Sequence, residues 1–310
     1  VMKRPAVVRV SRYFSYLLAI ACGVFAVDRV VLKLAYIVQA AIYAESNPTE
    51  TLSTMVYMAY NQRSLFVTGI SYTVRLALFG TAIAFVLSLL MVFLRIQEPD
   101  KRDKDFIKLL KLIANKFASF YIFVIRGTPM MVQSLILYNA VFSLFKRIGM
   151  SVSDINRIWP LFLAGLVTVS LNSTAYLAEV LRGGIMAIDA GQMEAARSLG
   201  MTHWQAMTRV VFPQAIKNSI PAIGNEFIIN IKDSSVLCVV GVSDLMFMTK
   251  SVAGIYYKGT ECYLIAAIVY LILTYLSSLL LKAIARKMEG GSDGRNTAGG
   301  VPDWGIPSSN

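Results

Sequence analysis

The sequence predicts an all-α integral membrane protein with about six transmembrane helices, and two observations predict it. The chain is 56% hydrophobic and only 15% charged, where a soluble domain is about a quarter charged. Its apolar residues also gather into runs of roughly twenty or more, instead of recurring at the spacing of a half-buried helix. A mean hydropathy of +0.60 agrees.

The expected spans are Tyr13–Ala44, Leu65–Leu94, Phe117–Phe145, Trp159–Ile188, Phe227–Met248 and Cys262–Ala283. The first has a basic flank and an apolar start, "YFSYLLAIACGVFAV", with the length of a signal-peptide core. Asp28 and Arg29 stand where small cleavage-site residues would be needed, and apolar sequence resumes after them. One long, tilted helix of roughly 48 Å is the expectation. Asp28 and Arg29 then face other helices or an interface.

Basic residues set the direction. Lys3, Arg4, Arg9 and Arg12 keep the N-terminus in the cytoplasm. Threading the spans from there places the lysine-rich Gln97–Lys116 loop and the C-terminal Lys282, Arg286 and Lys287 inside, and the acidic Glu45–Glu50 stretch outside. Only Lys146, Arg147 and Arg157 run against the trend. The net charge of +12 is therefore read as cytoplasmic-loop charge, with no nucleic-acid partner. Between the second and third spans, Lys104–Ala118 puts Phe106, Ile107, Leu110, Ile113 and Phe117 on one stripe and lysines on the other. That pattern fits a basic amphipathic helix at the interface. After Met288, Gly, Ser, Pro and Asn dominate, so a disordered tail is expected over 289–310.

One cytoplasmic stretch breaks the apolar rule: "GQMEAARSLGMTHWQAMTRVVFPQAI", Gly191–Ile216. The first part predicts a short helix ended by Gly200, whose freedom at positive φ suits a C-cap. The second predicts another helix, with Thr202 as N-cap and Pro213 near its end. Two short helices joined by a glycine make a knob. Glu194-Ala195-Ala196, then Gly200, then Val210-x-Phe212-Pro213 resembles the signature loop of ABC-importer permeases. "VIRGTPMMVQSLILY" (Val124–Tyr138), "LNSTAYLAEVLRGGIMAI" (Leu171–Ile188) and "PAIGNEFIINIKDSSVLCVVGVSDL" (Pro221–Leu245) are similar to the polar amino-acid uptake branch of that family.

The resemblance implies a five-span permease core over 65–288 with a coupling loop at 189–225, preceded by an added N-terminal helix and outer loop at 1–64. It implies a multi-pass subunit of a bacterial inner membrane, both termini cytoplasmic, moving amino acids inward by alternating access. It further implies separate P-loop ATPase subunits docked on Glu194, Ala195, Ala196, Gly200 and Pro213. An extracytoplasmic solute-binding protein and a second permease subunit, the same chain or a sister, complete the assembly.

No catalytic equipment is visible. The nearest approach to a P-loop, "GIYYKGT" at Gly254–Thr260, lacks the lysine directly after its second glycine and falls on the outer side. Neither a Ser–His–Asp set, a metal cluster nor a carboxylate pair is seen, so no cofactor and no enzyme activity are expected. Cys22, Cys238 and Cys262 lack CxxC spacing and read as buried thiols, and the lone His203 as a packing or surface residue.

A zwitterionic amino acid needs an anion for its ammonium and donors for its carboxylate. Polar groups inside spans are the candidates: Glu226 for the ammonium, with Asn172, Asp233 and Ser234 around it. The competing reading pairs Glu226 and Glu179 with Lys232 or Arg182. Arg126, in "RGTP", stands at a helix break and either meets a carboxylate or braces helices. An opine or cystine importer, and an ion-coupled carrier, are the alternative functions. No inverted internal repeat supports the carrier.

Overall fold

The computed structural model describes residues 29–44, 46, 48–97 and 104–289, and these residues hold helices and no strand. In chain order the helices are α1 (29–42), α2 (Thr51–Asn61), α3 (Arg63–Ile96), α4 (Asp105–Gly127), α5 (Met130–Arg147), α6 (Val152–Ile158) and α7 (Leu161–Met186). Then come α8 (Ala190–Ser198), α9 (His203–Ala206), a π-helical Met207–Val211, α10 (Phe212–Asp233), a 3-10 turn Ser234–Val239, α11 (Leu245–Tyr256) and α12 (Gly259–Glu289). Asp28 and the 290–310 tail lie outside the described residues.

Among the described residues α3, α7 and α12 are each long and apolar enough to cross a membrane. Helices α4 and α5 pass the same test only as a pair, bent by 112°. The expected span Phe117–Phe145 is therefore an elbow. Thr128 is extended, with φ −125° and ψ 145°, and Pro129 caps α5. Proline disfavours the helical region for the residue before it, so the helix stops at Gly127. Gln133 fills the break. Its Nε2 donates to the carbonyls of Ile125 (2.8 Å) and Thr128 (2.9 Å) and to Thr128 Oγ1 (2.9 Å), pairing groups that a membrane interior cannot hydrate.

The expected amphipathic helix is the first half of α4, continuous with the span. Its Phe106, Leu110, Ile113 and Phe117 lie exposed on the protein surface. The expected span Phe227–Met248 is likewise interrupted. Helix α10 ends at Asp233, and a 3-10 turn and a bend follow before α11 starts on Leu245. Asp244 Oδ1 accepts from the Phe247 amide at 2.9 Å and so caps α11.

The chain divides into two compact units. One joins the described residues up to Phe66 with Lys250–Ile265. There Met58 and Cys262 are buried side by side, Sγ to Sδ 3.8 Å, and Gln62 Nε2 donates to the Tyr256 hydroxyl at 3.2 Å. Most of α1 is exposed, with Ala41 buried.

The other unit runs over Val67–Thr249 and on from Ala266, with α7 at its centre. Of the apolar stretch of α7, 61% is buried, against 39% for α3 and 11% for α12. Lipid is as apolar as leucine, so helices in a membrane associate through close packing and interhelical hydrogen bonds. Both are present. Val92, Ile122, Ala175, Ala178 and Leu181 form one buried cluster. Ser173 Oγ donates to Asn230 Oδ1 (2.9 Å) and Asn230 Nδ2 to Thr81 Oγ1 (2.9 Å), tying α7 to α10 and α10 to α3. Asn172 Nδ2 donates to Gln133 Oε1 at 3.0 Å, and Tyr121 OH to the Leu171 carbonyl at 2.6 Å, tying α7 to α5 and α4.

At Gly184 α7 comes close to α10: a Cβ there would stand 3.0 Å from the Ala215 carbonyl oxygen and collide with Ser219 Oγ. A Gly184→Val substitution is expected to cost about 1–3 kcal/mol through overpacking. The check is a lower melting temperature in detergent, with partial recovery on adding Ser219→Ala.

Candidate functional site

The polar segment after α7 folds as a knob of two short helices. Asp189 Oδ1 accepts from the Gly191 amide at 2.7 Å and starts α8. Gly200 ends it at φ +84°. The Gly200 amide reaches the Arg197 carbonyl (3.0 Å) and the Met201 amide the Ala196 carbonyl (3.2 Å), the paired bonds of a Schellman C-cap. Thr202 then opens α9 with a reciprocal capping box: Gln205 N to Thr202 Oγ1 at 3.2 Å, and Thr202 N to Gln205 Oε1 at 2.9 Å.

Ala196 is buried under the knob, while Glu194, Ala195 and Gly200 are exposed. Leu199 at the tip is 82% exposed. Pro213 does not end the second helix as its sequence position suggested. The chain passes through the π-helical Met207–Val211 and straight into α10, with Pro213 in that helix's first turn. A proline there needs no amide partner, and the wider π turn absorbs the change of register.

A cavity of about 440 Å³ opens where the last turns of α3 and α4 meet α7, lined by Arg95, Ser119, Phe123, Arg126, Tyr176 and Glu179 among others. Its chemistry is set by one carboxylate among three guanidiniums. Glu179 accepts from Arg95 and, at 3.0 Å, from Arg182 Nε. Arg126 Nη1 stands farther off at 3.9 Å, with its Cζ 5.4 Å from the centre of the Tyr176 ring. Two guanidiniums, Arg95 and Arg126, line the cavity against one carboxylate, so its lining is net positive. Its volume is that of a small-molecule site.

The sequence candidates are not gathered here. Asn172 is buried and spends its amide on Gln133. Ser234 is buried and donates to the Ile231 carbonyl of its own turn at 3.1 Å. Asp233 is exposed, and Glu226 is buried beside Ser173. None of the four lines the cavity. Glu179 does pair with Arg182, whereas Glu226 makes no ion pair with Lys232 among the described residues. Arg95 and Tyr176 were not singled out from sequence. Arg95 ends an apolar run, where an arginine reads as an ordinary interfacial anchor, and Tyr176 reads as packing.

Fold and site together define a multi-pass helical membrane protein with an open, charged cleft and a capped helical knob between α7 and α10. Residues 108–290, more than half of the chain, match the family described as "Binding-protein-dependent transport system inner membrane component". The chain belongs to this family, the permease subunits of ABC importers.

Over 177 residues it is 37% identical to the glutamine transport system permease protein GlnP of Escherichia coli (strain K12), covering 57% of this chain and 77% of that one. It is 38% identical over 172 residues to the arginine transport system permease protein ArtQ of Bacillus subtilis (strain 168), covering 56% and 74%. Among solved structures, the crystal structure of an amino acid ABC transporter with histidines matches with a TM-score of 0.62 and 38% identity, over 77% of this chain and 99% of that one. The MetNI methionine ABC transporter in an inward-facing form shares the fold, with a TM-score of 0.57 and 21% identity over 74% and 98%.

Removing Glu179 strips three guanidiniums of their shared counter-charge, while removing Arg182 leaves the other two held. Charge-assisted hydrogen bonds contribute about 1.5–3 kcal/mol each. Glu179→Ala is therefore expected to lower the melting temperature in detergent clearly more than Arg182→Ala.

Proposed function

We propose that the chain carries amino acids into the cytoplasm as the membrane subunit of an ATP-driven importer, and that the Arg95–Arg126–Glu179–Tyr176 cavity receives the solute. The observation that carries the reading is the surplus of guanidinium over carboxylate in that cavity, in a family whose similar members are named for glutamine and arginine. Arg126 is the group able to respond. It is only loosely associated with Glu179, its side chain is 45% exposed, and its planar fork suits a carboxylate. As Arg126 turns to the solute carboxylate, the Tyr176 ring it covered becomes available to the solute ammonium, while Glu179 stays held by Arg95.

Energy comes from separate ATPase subunits that dock on Glu194, Ala195, Ala196 and Gly200, with Pro213 seating the knob on α10. Closure of the ATPase pair moves the knobs of two permease subunits, and the helices rock between outward and inward access. An extracytoplasmic binding protein delivers the solute. The knob and both termini face the cytoplasm, in keeping with the basic Gln97–Lys116 loop, and 65–288 form the permease domain with 1–64 as an addition. Asn172, Glu226, Asp233 and Ser234 serve in this reading as helix-joining or flanking groups.

The test is uptake of radiolabelled L-glutamine and L-arginine into proteoliposomes holding the permease with its cognate ATPase and binding protein. Loss of one charge-assisted contact of about 1.5–3 kcal/mol predicts that Arg126→Ala raises the half-saturating solute concentration roughly tenfold to a hundredfold. Arg126→Lys is expected to rescue only part. Glu194→Lys with Gly200→Asp is expected to abolish solute-stimulated ATP hydrolysis while the chain still inserts. Unchanged uptake by Arg126→Ala would remove the cavity from the transport path.

A further inference from the structure

The last turn of α3 faces two ways. Residues two apart point to opposite sides of a helix, so Phe93 and Arg95 leave that turn in opposite directions. Arg95 enters the cavity and holds Glu179. Phe93 meets the knob: its ring stands 5.3 Å from that of Trp204, centre to centre, at an interplanar angle of 74°. The turn is also held from behind, because Asn115 Nδ2 donates to the Arg95 carbonyl at 2.6 Å. One rigid turn thus carries the knob's contact on one side and the cavity's arginine on the other. Tilting it moves both.

On the knob's side the same joint has freedom built in. Trp204 rides on α9, a four-residue helix fixed at its start by the capping box. Beyond it the chain runs π-helical over Met207–Val211 before α10 becomes regular. A π segment between α-helical ones is a rare local irregularity, and such segments recur at functional sites. Beside the ring pair lies an apolar gap of about 200 Å³ lined by Leu89, Phe93, Trp204, Thr208 and Phe212. Trp204 is 52% exposed. The indole therefore has a ring partner, an irregular π-helical connection to α10 and open space beside it.

We infer that the Trp204–Phe93 contact is the joint through which the knob sets the Arg95–Glu179 pair, so that Trp204 and Phe93 are positioning residues for the solute cavity. The inference rests on the proposed reading of the knob as the ATPase contact and of the cavity as the solute site. A knob displaced by the ATPase pushes or releases the end of α3. Arg95 then tightens on Glu179 or withdraws, and the cavity changes its access.

The experiment reads the cavity directly and needs no identified solute. Ser119, on the cavity wall, is replaced (Ser119→Cys) in a chain with Cys22→Ala, Cys238→Ala and Cys262→Ala, assembled with its ATPase in proteoliposomes. The rate of modification by sulfonatoethyl methanethiosulfonate, a small anionic thiol reagent, is measured without nucleotide and with ATP plus vanadate. The parent is expected to show a nucleotide-dependent change of about fivefold or more, the lower end of ordinary allosteric coupling.

Trp204→Ala and, independently, Phe93→Ala are expected to bring that ratio close to one while the ATPase still co-purifies. Trp204→Phe, which keeps an aromatic edge, is expected to retain most of the ratio. A merely structural role for the pair would change both rates together and leave their ratio alone. A full ratio in Trp204→Ala or Phe93→Ala overturns the inference and leaves the proposed function standing. Phe93 is not on the knob, so its variant decides the matter if Trp204→Ala weakens ATPase binding. A parent with no nucleotide-dependent change sinks the cavity reading itself, and the inference with it.

Discussion

Glu179 is the point to which the charged architecture of this protein converges. It sits on α7, the most enclosed of the long helices, and three arginines from α3, α4 and its own next turn reach it. Between packed apolar helices an isolated, partly buried carboxylate would be costly, and so would isolated guanidiniums. Together they are tolerable, and that mutual need brings the last turns of α3 and α4 to one place. The cavity is the space between those turns. Its surplus positive charge follows from the count of partners. The carboxylate gathers guanidiniums from different helices, and it is their excess over it that would draw an anionic group there.

The uncharged contacts follow from the solvent. In a bilayer, leucines exposed on α12 or α3 gain nothing by finding one another, and the exposed Leu78, Leu271 and Leu280 fit lipid-facing positions. Association is left to the groups that lipid cannot satisfy. The Ser173–Asn230–Thr81 chain and the Asn172–Gln133 pair join α7 to its neighbours, while Gly184 lets α7 and α10 approach. Polar residues buried in these spans are thus mostly fasteners. Polarity inside the spans marks Asn172, Glu226, Asp233 and Ser234 alike as candidate ligands, because a fastener and a ligand have the same composition; Asn172 is engaged by Gln133.

Much of the fold was legible because it rests on local chemistry. Gly200 and Thr202 announced a C-cap and an N-cap, and both caps are formed. Gly127 and Pro129 announced a break, and a break is there. Its angle was not legible, since a proline stops a helix without saying where the next one goes. Pro213 misled for a related reason: the same residue that ends one helix can begin another, and the π turn that lets it do so leaves no mark in periodicity. The interrupted stretch after Asp233 was hidden by its own apolarity, because hydropathy measures length and greasiness but not direction. The cavity was the least legible part. Arg95, Arg126 and Glu179 lie on three helices, and nothing local relates positions so far apart in the chain.

The elbow between α4 and α5 has a mechanical meaning. A bare helix break is a swivel, free to sample many angles. Here Gln133 spends its amide hydrogens on the loose carbonyls of the corner and offers its oxygen to Asn172 of α7. One side chain thereby removes the swivel and bolts the corner to the central helix. Arg126, two residues before the extended Thr128, is mounted on a bracket whose stiffness comes from α7, so the two arms and the central helix form one frame with few internal degrees of freedom. In such a frame the deformable parts are those left unbraced, and a machine with a stiff chassis delivers its stroke where it is hinged.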